Sequence, residues 1–356
     1  MTARETMIPA IMPMLGKVAL EEAFQVPWKM EEASGNIDLF VNQGREAEYV
    51  SGIVNIQDRV REARATGVGY SICSLTVPGP QGEPDPKKAE EFATKANDWI
   101  YNQIKDYPNE LGAFAAVSMH NPKQAAEEAR RAVKQLGFHG VLVNNWQHAY
   151  NAKGERTLLL YDTPEYDIFW AALQELDVPL YIHPAAPQAQ LYELLYKDRP
   201  YLRGPPQSFT IDVSTHVLGL ISNGVFDRFP RVQVIVGHMG ERLPYDFDRI
   251  HRWFEKVEKP RGMGAQKSLY EYFRDNIWIT TSGQFSTAVL NFCMNLVGAD
   301  RILYSVDYPY ECYHDAANWF DNVNLNTRDK LKIGRENAKK LLKLHDYKDC
   351  NAPYHQ

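Results

Sequence analysis

Four runs of aliphatic and β-branched residues each end in a side chain able to bind a metal or move a proton: Val-Ala-Leu-Glu21-Glu22, Leu-Tyr-Ile-His183-Pro, Val-Ile-Val-Gly-His238-Met-Gly-Glu241 and Leu-Tyr-Ser-Val-Asp307-Tyr-Pro. Ending an apolar strand in a carboxylate or an imidazole is costly unless the group finds a partner, and convergence at one mouth supplies partners for all of them. Taken singly, each has a structural explanation. His183 reads as a hydrogen-bonded core histidine, Asp307 as a turn or helix-capping residue, Glu21 beside Glu22 as solvated charge, and Gly237 with Gly240 as a tight turn carrying Glu241 on the surface. The chemical reading fails only if all of these hold at once on one face of one fold.

Convergence of that kind demands elements that deliver strand ends to a common point. Short apolar runs predict strands at Lys17–Glu22, Gly69–Leu75, Gly112–Ser118, Gly140–Asn144, Val178–His183, Val232–Gly237, Ile277–Thr281 and Arg301–Val306. Between them, helical spacing of apolar residues predicts helices at Pro86–Lys105, Pro122–Leu136, Tyr166–Leu176, Val213–Asn223 and Thr287–Leu296, with a closing helix from Thr327 to Leu344. Asn121-Pro122 places a capping residue before a proline at the first helical position. Eight strands alternating with helices predict an α/β fold, a single (β/α)8 TIM barrel. It would span residues 16–345, with an N-terminal extension at 1–15 and a C-terminal tail at 346–356. Glu31–Glu48, Gln147–Glu165 and Pro184–Pro206 break the rhythm after the first, fourth and fifth strands and read as ordered loops on the face where barrel enzymes place their chemistry.

Composition narrows the partners. A net charge of −6 offers no counterion release to a nucleic acid and no attraction to an anionic membrane, which leaves a small molecule as the expected partner. The four cysteines form no CxxC pair, so they read as thiols of a reducing cytoplasm. Met7–Leu15 follows Arg4 and has the outline of a short secretory core, but it carries Pro9 and Pro13 and runs straight into Lys17–Phe24, which the barrel needs.

Over about Gly16 to Leu344 the chain resembles the amidohydrolase superfamily, and within it the non-oxidative decarboxylases of ortho-hydroxybenzoic acids, a group that includes salicylate, 2,3-dihydroxybenzoate and γ-resorcylate decarboxylases. The blocks that carry the likeness are GKVALEEAF, GAFAAVSMHNP, ELDVPLYIHP, NGVFDRFP, VGHMGE, NIWITTSG, RILYSVDYPYE and IGRENAKKLLKL. The resemblance implies metal ligands at Glu21, His183 and Asp307, and a catalytic pair of His238 with Glu241. It places Thr76, Phe209 and Tyr310 near the substrate ring, and makes Arg249 a residue lent across the interface of a homodimer or homotetramer. The chain departs from many members at Ala23, where they carry a second metal-binding histidine, and at Ala185, where relatives often carry a charge. One imidazole and two carboxylates suit zinc, the first expectation, and also magnesium or manganese. No organic cofactor is implied.

The implied reaction is loss of CO2 from a small ortho-hydroxybenzoate, which a divalent ion would chelate through its phenol and carboxylate oxygens. Asp307 would protonate the ring carbon, with His238 as shuttle and Glu241 fixing its imidazole. The wording Pro-Gly-Pro-Gln-Gly at 78–82 and Tyr-Pro-Tyr-Glu at 308–311 ranks salicylate ahead of 2,3-dihydroxybenzoate. Two rivals stand beside this reading. One is a hydrolase of the same superfamily acting on a lactone, amide or ester; product detection separates it. The other is a non-catalytic barrel, which would bind no metal.

Overall fold

The structure, a computed structural model, describes residues 13–187, 189–345 and 347. Most of the expected N-terminal extension and nearly all of the expected tail, including the Met7–Met12 part of the secretory-like stretch, lie outside the described residues.

Eight parallel strands are hydrogen-bonded in chain order. They are β1 (Lys17–Phe24), β2 (Val68–Leu75), β3 (Leu111–Ala116), β4 (Gly140–Asn144), β5 (Leu180–His183), β6 (Val234–Val236), β7 (Ile277–Thr280) and β8 (Ile302–Leu303). All are buried on both faces, which is why they read as continuous apolar runs and not as an alternation. Val18 and Leu20, Tyr70 and Ile72, Phe114, Leu142, Tyr181, Ile235, Trp278 and Leu303 pack together in one interior cluster to which every strand contributes, so the barrel is filled and not a pore. A larger apolar layer lies between the sheet and the helices, with Phe92, Phe169, Trp170, Val217 and Phe273 among its members.

The sheet closes between β8 and β1 through one parallel bridge, Leu20 to Ser305. Nearby, β1 carries a bulge: Ala19 pairs with Ser71 and Glu22 with Cys73, so Leu20 and Glu21 lie opposite Ile72 alone. Bulges re-aim side chains and are frequent beside active sites. Here the bulge interrupts the strict two-residue alternation at Leu20 and Glu21.

Outside the barrel, the Asn121 side chain accepts from the N–H groups of Lys123 and Gln124 and starts the Pro122–Leu136 helix, while Gly137 in the left-handed region ends it. All three stretches expected as loops contain regular structure, and Pro184–Pro206 carries short helical turns at Ala189–Leu191, Tyr192–Tyr196 and Pro200–Leu202. Glu31–Glu48 is mostly helical, as Met30–Phe40 and Glu46–Gly52. Ser34 and Gly35, poor helix formers inside the first of these, hid the pattern, while Glu31 and Glu32 stabilise its positive N-terminal end. Gln147–Glu165 contains an antiparallel hairpin of Gln147–Tyr150 with Arg156–Leu159. The closing helix is interrupted by a wide turn at Lys332–Glu336 between Thr327–Leu331 and Asn337–Leu342.

Candidate active site

The ends of β1, β5 and β8 meet at the barrel mouth. Each of Glu21, His183 and Asp307 offers one ligand atom, and these atoms lie within 4.8 Å of one another. His183 Nδ1 lies 2.7 Å from the carbonyl of Pro184, to which it donates, which leaves the Nε2 lone pair facing Glu21 Oε1 at 3.2 Å. Burial pulls the His183 imidazole below its ordinary pKa despite the neighbouring Glu21, so it is neutral and able to ligate. Glu21 is buried, its Oε2 accepts from the Tyr181 hydroxyl, and its Oε1 has no hydrogen-bond partner. A buried carboxylate oxygen left unpaired among an imidazole and a second carboxylate is what a divalent cation would satisfy, so the residues present fit a metal.

His238 stands beside this triad. Its Nδ1 is 2.7 Å from Glu241 Oε1, and its Nε2 is 3.6 Å from Asp307 Oδ2 and 3.8 Å from Glu21 Oε1. Burial alone would lower its pKa, but the carboxylates of Glu241 and Glu21 and the hydrogen bond to Asp307 outweigh burial and hold it well above the usual imidazole value. Asp307 moves the other way from an ordinary carboxylate. Burial pushes it up to about 7 against the pull of His238. The two groups therefore share a proton site, the arrangement a proton relay needs.

Backbone conformation marks the same place. Glu21, His238, Met239, Glu241 and Asp307 all have positive φ, from +51° to +78°, and the two other non-glycine residues that do so among the described residues, Asp177 and Lys343, cap helix ends. Such conformations cost about 1–3 kcal/mol each and persist only where surrounding structure over-determines them. Gly237 shows how tight the packing is, since a Cβ there would stand 2.9 Å from the Tyr181 hydroxyl and 3.1 Å from both carboxylate oxygens of Glu21.

The remaining expected site residues divide. Thr76 and Tyr310 come together on the mouth: the Tyr310 hydroxyl lies 2.7 Å from Thr76 Oγ1 and also takes hydrogen bonds from Asn36 and Tyr49. Phe209 is buried with its ring 5.3 Å from Phe40. A cavity of about 210 Å³ opens beside them, walled by Asn36, Phe40, Trp146, His148 and Arg203, and by Ala185 two residues beyond His183. Arg249 is not brought to this mouth; it is exposed in an open groove with Arg252, Trp253 and Lys256. Sequence reasoning missed Tyr181 and Trp146; His148, which in the sequence reads as structural with His120, His251 and His314, instead lines this cavity. His120 lies 2.9 Å from the Glu83 carbonyl and His251 packs against the Tyr270 ring.

Comparison with known proteins places this geometry among relatives. Residues 54–344 match the family model described as amidohydrolase. A γ-resorcylate decarboxylase of Rhizobium sp. (strain MTP-10005) is 40% identical over 93% of this chain and 99% of its own length. A solved structure of a 2,6-dihydroxybenzoate decarboxylase complexed with 2,6-dihydroxybenzoate matches with a TM-score of 0.86 at 40% identity, over 93% of this chain and all of that one. The dihydroxybenzoic acid decarboxylase of Polaromonas sp. JS666, with bound manganese and the inhibitor 2-nitroresorcinol, matches with a TM-score of 0.87 at 38% identity, over 93% of this chain and 98% of that one.

Proposed function

Because the chain belongs to the amidohydrolase family, we propose that its barrel mouth decarboxylates a benzoic acid with hydroxyls on both carbons flanking the carboxylate, as in 2,6-dihydroxybenzoate. At the coarser level the protein is a metal-dependent carboxy-lyase that removes CO2 from a small ortho-hydroxybenzoic acid without redox chemistry. The ranking of salicylate first gives way, since the relatives compared above act on the 2,6-dihydroxy acid. The observation that carries the reading is the unpartnered, buried Oε1 of Glu21 among three donors within 4.8 Å.

Glu21, His183 and Asp307 would hold one divalent ion, which when bound chelates the ring acid and favours its phenolate. The protein's own groups then do the following. Asp307 passes a proton to the ring carbon that bears the carboxylate. The carbon–carbon bond breaks, its electrons restore the aromatic ring, and CO2 departs. His238, held by Glu241 and 3.6 Å from Asp307, returns a proton to the carboxylate. Phe209, Tyr310 and Thr76 confine the ring, so that the carbon stays within reach of the acid.

Two finer assignments rest on support of a different kind. Arg249 is lent to a neighbouring subunit of a homo-oligomer: it is exposed on its own chain, and Tyr245 and Trp253 on the same helix are exposed aromatics suited to an interface. A reducing cytoplasm suits the free thiols of Cys73, Cys293 and Cys312. No described helix is long and apolar enough to cross a membrane.

The test is incubation of the manganese- or zinc-loaded protein with 2,6-dihydroxybenzoate, salicylate and 2,3-dihydroxybenzoate, followed by assay of CO2 with resorcinol, phenol or catechol. Resorcinol should form fastest, and chelation should stop turnover reversibly. Absence of all three products from a metal-loaded sample would reject the decarboxylase, and a preference for salicylate would reject the finer substrate.

A further inference from the structure

Glu22 has no place in the chemistry above, yet it is fully buried and both of its oxygens are used. Oε1 accepts the N–H of Val306 and Oε2 the N–H of Tyr308, each at 3.2 Å, so one carboxylate grips the backbone N–H groups of the two residues on either side of Asp307. The residue gripped between them is the one held at φ +78°, and the residue preceding Glu22 is Glu21 at φ +69°.

The location makes the grip consequential. Among the described residues, the β1–β8 seam is closed by the single bridge of Leu20 to Ser305, and beyond it only the Ala23 N–H to Tyr308 carbonyl bond, at 2.7 Å, continues the pairing. Arg59, buried beneath, donates to the Ala23 and Gly52 carbonyls and lies over the Tyr308 ring at 5.3 Å. The bulge at Leu20 and Glu21 turns Glu22 toward this seam while Glu21 faces the mouth.

We propose that Glu22 is a positioning residue that acts as a clasp across the seam, setting the separation of Glu21 and Asp307 and holding Asp307 in its left-handed conformation. The inference rests on the metal-site reading, and it concerns ligand spacing, not substrate. It predicts a graded response. Glu22→Gln keeps one acceptor for the two amides, whereas Glu22→Leu keeps the bulk and none.

The experiment is titration of the metal-stripped wild type, E22Q and E22L with Mn2+, with circular dichroism and thermal melts on the same samples and kcat and KM measured at saturating Mn2+. Orienting contacts around metal ligands are worth about 10–100-fold in affinity. E22L should bind Mn2+ weaker by that factor and E22Q by less, with kcat falling in the same order and KM little changed, in protein that keeps wild-type secondary structure. Mn2+ affinity in E22Q and E22L within twofold of wild type would remove the clasp alone. Failure of E22Q to fold would also remove it, by making the side chain a determinant of the fold. A folded wild type that binds no Mn2+ would take down the metal site and the clasp together.

Discussion

Strand β1 carries a buried charge at each end, and the two are treated in opposite ways. At its start, Lys17 is fully buried and its ammonium donates to the Met14 carbonyl at 2.7 Å and to both oxygens of Asp321 at 3.0 and 3.1 Å. Every donor of that ammonium is used. At its finish, Glu21 keeps an oxygen with no hydrogen-bond partner, sits at positive φ, and faces two histidines and another carboxylate. The bottom of the barrel satisfies its charge and is quiet; the mouth leaves its charge open and strained. That asymmetry is how a barrel separates stability from chemistry along one strand.

The largest effects are expected at the mouth. Asp307→Asn and His238→Asn should each lower kcat by about 10²–10⁴-fold, the range of a positioned general acid or base, while the folded state survives. Turnover close to wild type in either, measured at saturating metal, would strip that residue of its role in proton transfer. Next in size is Gly237→Ala, whose Cβ would press on both oxygens of Glu21 and on the Tyr181 hydroxyl. Overpacking costs about 1–3 kcal/mol, or roughly 5- to 150-fold in an equilibrium constant, and it should be felt in metal affinity because the group that must move is a ligand. Titration with Mn2+ reads it directly; unchanged affinity would mean that Glu21 has room to shift.

How much of this was legible in the sequence follows the same division. The eight strands were visible because both faces are buried, so each is a mostly apolar run without a polar face. Glu21, His183, His238 and Asp307 were visible because each interrupts such a run at its end. What was hidden depends on contacts between residues far apart in the chain. Glu22 looked like a spare acid beside Glu21, and nothing near it in sequence announces Val306 and Tyr308. Helix Met30–Phe40 was masked by Ser34 and Gly35, and the Gln147–Tyr150 strand of the hairpin by a short polar composition that resembles a loop. The left-handed backbone at Glu21 has no signature in residue type, and at His238 and Asp307 it has only the modest preference of histidine and aspartate for that region.

At the other end of β1 the expected effects on catalysis are the smallest, and the argument turns on stability. Removing one member of a buried pair leaves the other charge uncompensated, at a cost of about 3–5 kcal/mol. Lys17→Met should therefore lower the denaturation midpoint strongly while kcat on the folded fraction stays at the wild-type value, because Met14 and Asp321 touch nothing at the mouth. The deficit belongs to the stranded carboxylate and not to the lost ion pair, and a second change separates the two. Asp321→Asn alongside Lys17→Met removes the charge but keeps an Oδ1 to accept the Met14 N–H, which Asp321 now binds at 3.0 Å. The double variant should regain most of the lost stability, since a buried pair replaced by neutral groups of similar size is often near neutral. Denaturant unfolding of the single and double variants decides it. Recovery would mean that the pair's charges offset their own desolvation and little more; no recovery would mean that the pair itself holds the bottom of the barrel, and that satisfied charge contributes more here than its counterpart at the mouth costs.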